Sequence, residues 1–410
     1  MSMIKYWCIP VLLPAFLWSQ EAALKIAFRD LDESGRPDGP KMEYIENSFA
    51  LEKARRSVDL GWSNPEFTVD YEVVESGTIR QEERITGIAK RFDPPWTSLL
   101  RRRYWNGKIR EAENLRESER LRLQASRKAG YVRISLLRQK IDELNRLEGG
   151  VSRLRESNRQ REREGMMSGT EKGLIDLSLL SLYLSIQENQ DRLRRSLSEW
   201  KIEMGIPPDR DVELITTVRF SPVDSARIRM CDPVRNENAG LRRLQAAEEA
   251  GRRLVLFERS RIWPGLSLNA GRKTVDGGWK GFVAGLSLEV PLFNWNRGKI
   301  GEAKAVLGIA SAELEMARWR HRNGVEHLKR SIAEIDARLR CETDDGIGHA
   351  VLTDGIKAAY TEGFASMTDY LNSVQIAGSG IDSYFDLVSD YYDRVFELEM
   401  MTGARFDLLF

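Results

Sequence analysis

The chain spells one motif twice, and the interval between the copies limits what it can become. Gly165, Ser168 and Glu171 form G-x-x-S-x-x-acid, and Gly363, Ser366 and Asp369 repeat it 198 residues later. Extended segments upstream keep nearly the same interval. Pro65 and Pro264 open them, 199 residues apart, and Pro94 and Pro291 close them, 197 apart. A period this long exceeds the roughly 20–50 residues of solenoid repeats and implies two copies of one large unit.

Hydrophobic periodicity fills in the unit. A short amphipathic helix is predicted over about 41–60. Phe67, Val69, Tyr71 and Val73 then alternate with Glu66, Thr68, Asp70 and Glu72, the period of two of a strand with one apolar face. A turn at Ser76-Gly77 leads to a second run near 82–93 with poor alternation, ended by Pro94-Pro95. In the second copy Leu266, Leu268 and Ala270 alternate with Ser267 and Asn269. Asp276-Gly277-Gly278 signals a hairpin, and Phe282, Ala284, Leu286, Leu288 and Val290 share one face up to Pro291. Long helices follow each hairpin. Apolar residues at 300, 303, 307, 310, 314 and 317, then 325, 328, 332, 335 and 339, step by three and four with one phase shift at His321. That is a coiled-coil seam, and a helix of about 40 residues (~60 Å) needs a partner along its whole length.

The expected organisation is therefore a polar segment at 20–40 and a first repeat over 41–206, with strands at 65–74 and 82–93 and helices at 104–147 and 168–204. A connector follows at 207–235, with a strand-like stretch from Val212 to Phe220. The second repeat covers 236–403, with strands at 264–272 and 280–290 and helices at 297–341 and 352–402, before a tail at 404–410. Gly149-Gly150 and the polar stretch from Glu342 to Gly348 are expected to make the two helical bends.

Residues 1–19 differ in kind. Lys5 precedes an apolar stretch from Tyr6 to Trp18, with Ser19 and Gln20 behind it, the layout of a secretory signal peptide cleaved after Ser19. Downstream, no apolar run reaches the ~18 residues of a membrane helix, so any membrane role falls to strands. With 63 basic and 62 acidic side chains there is no field to steer nucleic acid. Cys231 and Cys341, placed near the start of one helix and the far end of another, are expected as two free thiols. Of three histidines, His321 and His327 lie six apart and share no metal-binding face, and there is no nucleophile elbow, phosphate loop or zinc spacing. Neither an enzyme nor a cofactor is expected.

Four strands are too few to close in a bilayer, where every backbone amide needs a partner and the smallest barrels have about eight strands. The strands and the seams both ask for further copies. These proline-bounded hairpins, the long helical pairs, the Val290-Pro291-Leu292-Phe293-Asn294 end of the fourth strand, the lead-in from Asn238 to Trp263-Pro264, and Tyr360-x-x-Gly363 followed by Asp369 and Leu371 together resemble the outer-membrane factor (TolC-like) outer membrane efflux protein family over about 41–403. The resemblance implies a mainly α fold with a β membrane part. A homotrimer would share one twelve-stranded barrel in outer-membrane lipid and a helical periplasmic tunnel. That tunnel would dock on a periplasmic adaptor (membrane fusion) protein linked to an inner-membrane transporter, as a passive conduit in efflux or type I secretion. Tyr360, Asp369 and Glu171 would lie at the periplasmic gate and tip. Ala365 stands where the family tends to carry a basic residue, which implies a weaker or different lock.

Simpler readings stand beside these. The strands also suit a water-soluble β-subdomain, although Trp62, Trp96, Trp263 and Trp295 flank them in the manner of interface aromatics. Glu171 and Asp369 also read as solvated helix carboxylates. Gly165, Ser168, Gly363 and Ser366 are expected as a helix-hairpin and adaptor-docking motif, in which the glycines are small residues at a close helix crossing or kink. The alternative for the whole chain is a non-pore periplasmic coiled-coil scaffold or adaptor.

Overall fold

The computed structural model describes residues 23–31, 39–77, 79–231, 238–289, 293, 295–344, 355, 358–406 and 408. The signal-peptide stretch, Val290, Pro291 and the predicted bend at 342–348, apart from its first residues in a helix, lie outside them. Described elements run β1 (Leu24–Ile26), a 3-10 turn (Phe28–Leu31), α1 (Pro40–Leu60), β2 (Glu66–Ser76), β3 (Ile79–Phe92), α2 (Pro95–Arg163), α3 (Gly169–Met204) and β4 (Val212–Leu214). They continue through α4 (Ser225–Met230), α5 (Ala239–Ser260), β5 (Leu266–Val275), β6 (Trp279–Leu288) and α6 (Arg297–Asp344) to α7 (Met367–Thr402).

Two sheets form. β2, β3, β5 and β6 make one antiparallel sheet in that order, so the two hairpins join through β3 and β5. The second sheet is a short parallel pair of β1 with β4. Beside the four-stranded sheet the helices stand in a row, α1–α2–α5–α6, with α1 and α6 at its ends. Farther away α2 packs on α3 and α7, and α7 on α6. Glycines allow the close approaches in the row: a Cβ on Gly107 would sit 3.1 Å from Ala250 of α5, and one on Gly251 would sit 3.3 Å from Leu307 of α6.

The seam of α6 is where the period places it. Ala303, Ala310, Leu314, Val325, Leu328, Ile332, Ile335 and Leu339 are buried, and His321 is buried at the phase shift. The core has two main parts. The larger joins Val325 to Leu339 of α6 and Val388 to Leu398 of α7 with Tyr131 and Trp200 and with the connector residues Val212, Val218 and Val223. The other lies toward the turns, around Leu144, Val151, Ile175, Tyr370 and Val374.

Several expectations need correction. α2 starts at Pro95 rather than 104 and runs 69 residues, straight through Gly149-Gly150. Those glycines make no bend: a Cβ on Gly150 would sit 3.4 Å from the Tyr370 hydroxyl, so the missing side chain leaves room for that ring. The chain reverses at 164–168 instead. In the second half the return helix starts at Met367, beyond a turn at 362–366. The polar stretch at 20–40 contains β1, too short to show a period, and the strand from Val212 to Phe220 shrinks to three residues. Cys231 caps the C-terminus of α4 rather than starting a helix, and it is a buried free thiol. The Cys341 side chain lies outside the described residues.

Candidate functional site

Cross-strand register decides which side chains share a face, because a strand's side chains alternate. Phe67 pairs with Ile88, Ile88 with Ala270 and Ala270 with Ala284. Neighbouring rows on the same face hold Val69, Thr86, Arg272 and Phe282, then Leu268 with Leu286, then Phe92, Leu266 and Leu288. The opposite face carries Glu66, Thr68, Asp70, Glu83, Ser267, Asn269, Lys273 and Ser287. β3 looked irregular alone because Thr86 and Arg84 interrupt its apolar face while Ile85 sits on the polar one. Pairing with β2 and β5 resolves its phase. The apolar face is exposed: Phe282 is 77% accessible, Phe67 70% and Leu286 67%. Among the described residues the sheet ends at β2 on one side and β6 on the other, so both edges present unpaired backbone groups.

Aromatics gather at the helix-side end of the sheet. Trp96 and Trp263 meet edge to face at 6.0 Å, joining the start of α2 to the lead-in of β5. Lys90 lies 5.1 Å over the Trp62 ring and donates to the Ser63 carbonyl at 2.7 Å, so its charge leaves the apolar face. Trp295 is half exposed. Pro65 and Pro264 each directly precede a strand or its first residue, where the missing amide costs no ladder bond. Pro94 accepts from the Thr97 amide at 2.9 Å at the start of α2. Pro291 lies outside the described residues.

The repeated motif builds one geometry twice. Gly165 and Gly363 adopt φ of 70° and 80°. The next amides reach back five residues, Met166 to the Arg161 carbonyl at 2.8 Å and Phe364 to Ala359 at 2.7 Å, which are the long bonds of a Schellman turn. Three residues after each glycine a serine caps the next helix. Ser168 accepts from the Glu171 amide at 3.1 Å while Glu171 accepts from the Ser168 amide at 2.9 Å. Ser366 and Asp369 do the same at 3.2 and 3.0 Å. Each motif is thus a helix stop joined to a capping box. Among the described residues no atom lies within 4 Å of a Cβ built on either glycine, so positive φ rather than a close helix crossing selects them. The serine's side-chain and backbone hydrogen bonds hold the Asp369 carboxyl below its ordinary range, so it stays ionised.

Tyr360 sits before the second turn. Its hydroxyl accepts from Asn158 Nδ2 of α2 at 3.4 Å, and its ring lies 5.9 Å from that of Tyr370. It therefore ties the end of α2 to the chain around the second turn. Asp369 and Glu171 sit on different turns, both exposed, and no contact between them is described. Sequence reasoning missed three tyrosines that hold the connector. Tyr131 accepts from the Thr216 amide at 2.9 Å, Tyr391 accepts from the Val223 amide at 2.8 Å, and Tyr392 accepts from the Ser221 amide at 2.9 Å. The tyrosines of α7 fall on its buried face, the one signal that marked them.

Among the described residues no helix is long and apolar enough to cross a membrane, and no three metal-ligating side chains cluster. No family model and no curated protein matches the chain. Solved structures do. The outer membrane protein VceC from Vibrio cholerae matches with a TM-score of 0.75 at 14% identity, over 93% of this chain and 97% of that one. The CmeC outer membrane channel of Campylobacter jejuni matches at 0.74 and 13%, over 93% and 86%. The open-state MtrE outer membrane channel of Neisseria gonorrhoeae matches at 0.68 and 12%, over 92% and 89%. The TolC-like resemblance read in the sequence has its counterpart in three dimensions: this chain has the fold of the outer-membrane channels.

Proposed function

We propose that the protein is the outer-membrane channel of a tripartite efflux or type I secretion system, a passive conduit that works as a homotrimer. One observation carries the reading: a four-stranded sheet exposes its apolar face and leaves β2 and β6 unpaired. In water that surface favours aggregation, and in lipid an open edge is costly. Joining β6 of one copy to β2 of the next removes both problems, and three copies give twelve strands. The strands are 10–14 residues long, enough to span a bilayer when tilted.

The helix row supports the same closure. Tyr44, Leu51 and Val58 make an exposed heptad stripe on α1, and Ile309, Met316 and Trp319 are exposed on α6 at the other end. Stripe against stripe between copies would close the helices into a tunnel continuous with the barrel. The matched turns at 164–168 and 362–366 would form its periplasmic tip, the docking surface for an adaptor that links it to an inner-membrane transporter. Tyr360 would restrain that end, and three ionised Asp369 carboxylates near an axis would attract cations. The duplicated unit belongs to this reading, since two equivalent halves per copy give a tip with six similar turns.

The test is direct. The expressed chain should sediment with outer membranes, migrate as a heat-modifiable oligomer and conduct in planar bilayers. A detergent-free, fully folded monomer in buffer would sink the proposal.

A further inference from the structure

The apolar face of the sheet changes character along its length. Over the rows from Leu266–Leu288 to Ala270–Ala284 it carries a single charge, Lys90, which turns away to Trp62. In the next two rows, toward the hairpin tips, the same face carries Arg272 beside Thr86 and Phe282, then Tyr71, Arg84, Thr274 and Lys280. Arg84, Arg272 and Lys280 occupy three neighbouring strands, β3, β5 and β6. At about 4.8 Å between strands, Arg84 and Lys280 stand roughly 10 Å apart with Arg272 between them, one row toward the apolar side. All three are exposed.

Other cations at this end are already neutralised. Arg80 pairs with Glu82 at 2.8 Å, and Lys273, on the opposite face, pairs with Glu83. Arg84, Arg272 and Lys280 make no ion pair among the described residues. Three unpaired cations on an outward apolar face are costly in hydrocarbon unless they meet an anion. The order along the strand, apolar side chains and then guanidinium, hydroxyl and ammonium groups, matches acyl chains followed by phosphate.

We infer that Arg84, Arg272 and Lys280, with the Thr274 hydroxyl, form a binding site for the phosphate of an outer-leaflet lipid headgroup. The Tyr71 hydroxyl on the same face is engaged by Glu82. The inference rests on the barrel reading above, since only there does this face meet lipid. Arg272 and Arg84 would fork onto phosphate oxygens as paired donors, and Lys280 would act as a point charge. Acyl chains of the same lipid would lie over Phe282, Ala284 and Leu286.

The experiment uses the purified full-length oligomer in detergent, titrated with bisphosphorylated lipid A, its dephosphorylated form and inorganic pyrophosphate, read by thermal shift and native mass spectrometry. Bisphosphorylated lipid A is expected to raise Tm and bind at up to one per chain, with no response to the other two probes. Each single variant, R84Q, R272Q or K280Q, should weaken binding about fivefold, and the triple variant should abolish the shift. These side chains are exposed, so the variants should fold, and planar-bilayer conductance equal to that of the unaltered chain verifies this. An equal shift from dephosphorylated lipid, an equal shift in the triple variant, or a response to pyrophosphate alone would overturn the site. Failure of the unaltered chain to insert and conduct would instead overturn the barrel reading, so the two failures are distinct.

Discussion

The hydroxyl of Tyr391 accepts the amide hydrogen of Val223 at 2.8 Å, joining α7 to a connector residue 168 positions earlier in the chain. The connector after β4 has no ladder or helix to satisfy its amides until α4. Val223 itself is buried, so its amide needs a partner inside the protein. The neighbouring Tyr392 does the same for Ser221 and donates to the Arg219 carbonyl at 2.8 Å. Burial pushes both phenols above their ordinary range, so neither ionises at working pH and both keep the connector in place.

Tyr391→Phe removes the acceptor and keeps the ring. A buried amide left unpaired costs about 1–3 kcal/mol, so Tm should fall, and hydrogen exchange at Val223 should speed while α6 stays protected. Unchanged exchange at Val223 would mean that water replaces the hydroxyl.

The turn glycines give a sharper test. Gly165→Ala and Gly363→Ala should each cost about 1 kcal/mol, because alanine resists positive φ although the space is open. Asparagine tolerates that conformation better, so Gly165→Asn and Gly363→Asn should recover much of the loss. If the glycines served a close helix crossing, asparagine would be worse than alanine. The order of Tm values decides between them.

That contrast shows what the sequence makes legible. The motif G-x-x-S-x-x-acid marked both reversals because stop and cap are local, written within seven residues. Strand phase in β2, β5 and β6 and the seam of α6 were legible because one face of each is uniformly apolar. Gly149-Gly150 misled, since a glycine that accommodates Tyr370, some 220 residues away, looks in sequence like one that ends a helix. β1 was hidden because Leu24-Lys25-Ile26 is a strand only through its partner β4. The tyrosine clasps went unread because their partners are backbone amides, which leave no residue signature. Asp369 also reads, from the sequence, as a ring carboxylate or a solvated one. Locally it is a cap, a role that a three-fold arrangement does not remove.

That cap has a pH signature. The folded Asp369 carboxyl is depressed below its ordinary 3.8 by the two hydrogen bonds to Ser366. Its contribution is therefore present above that value and lost as pH falls through the folded pKa. Amide exchange at the start of α7 should quicken in acid below pH 3.8, beyond the intrinsic pH trend. In Asp369→Asn that extra dependence should vanish. In planar bilayers the same variant should weaken block by trivalent cations, and an identical blocking constant would remove Asp369 from the constriction.

Tyr360 links the two ends that must part if the tip opens. Its bond from Asn158 is long, at 3.4 Å, and Asn158 also donates to the Leu154 carbonyl at 3.0 Å. Tyr360→Phe should therefore cost no more than about 1 kcal/mol of stability while raising single-channel conductance. A stable variant with unchanged conductance would leave the tyrosine as packing for Tyr370.

Lys140 offers the last test, away from both turns. Its ammonium lies 2.9 Å from Asp382 and 3.0 Å from Asp386 of α7, with the side chain 2% exposed and the two carboxylates 39% and 61% exposed. Two carboxylates answer one buried ammonium, so their attraction about offsets the desolvation cost that the lysine bears. Lys140→Met keeps the stem that packs between the helices and removes that cost, so Tm should change little, within about 1 kcal/mol. Replacing Asp382 and Asp386 together by asparagine strands the cation and should cost about 3 kcal/mol. Adding Lys140→Met to that double variant should then restore most of the loss. If the triple variant is no more stable than the double, the aspartates hold α7 through contacts of their own rather than by answering the charge on α2.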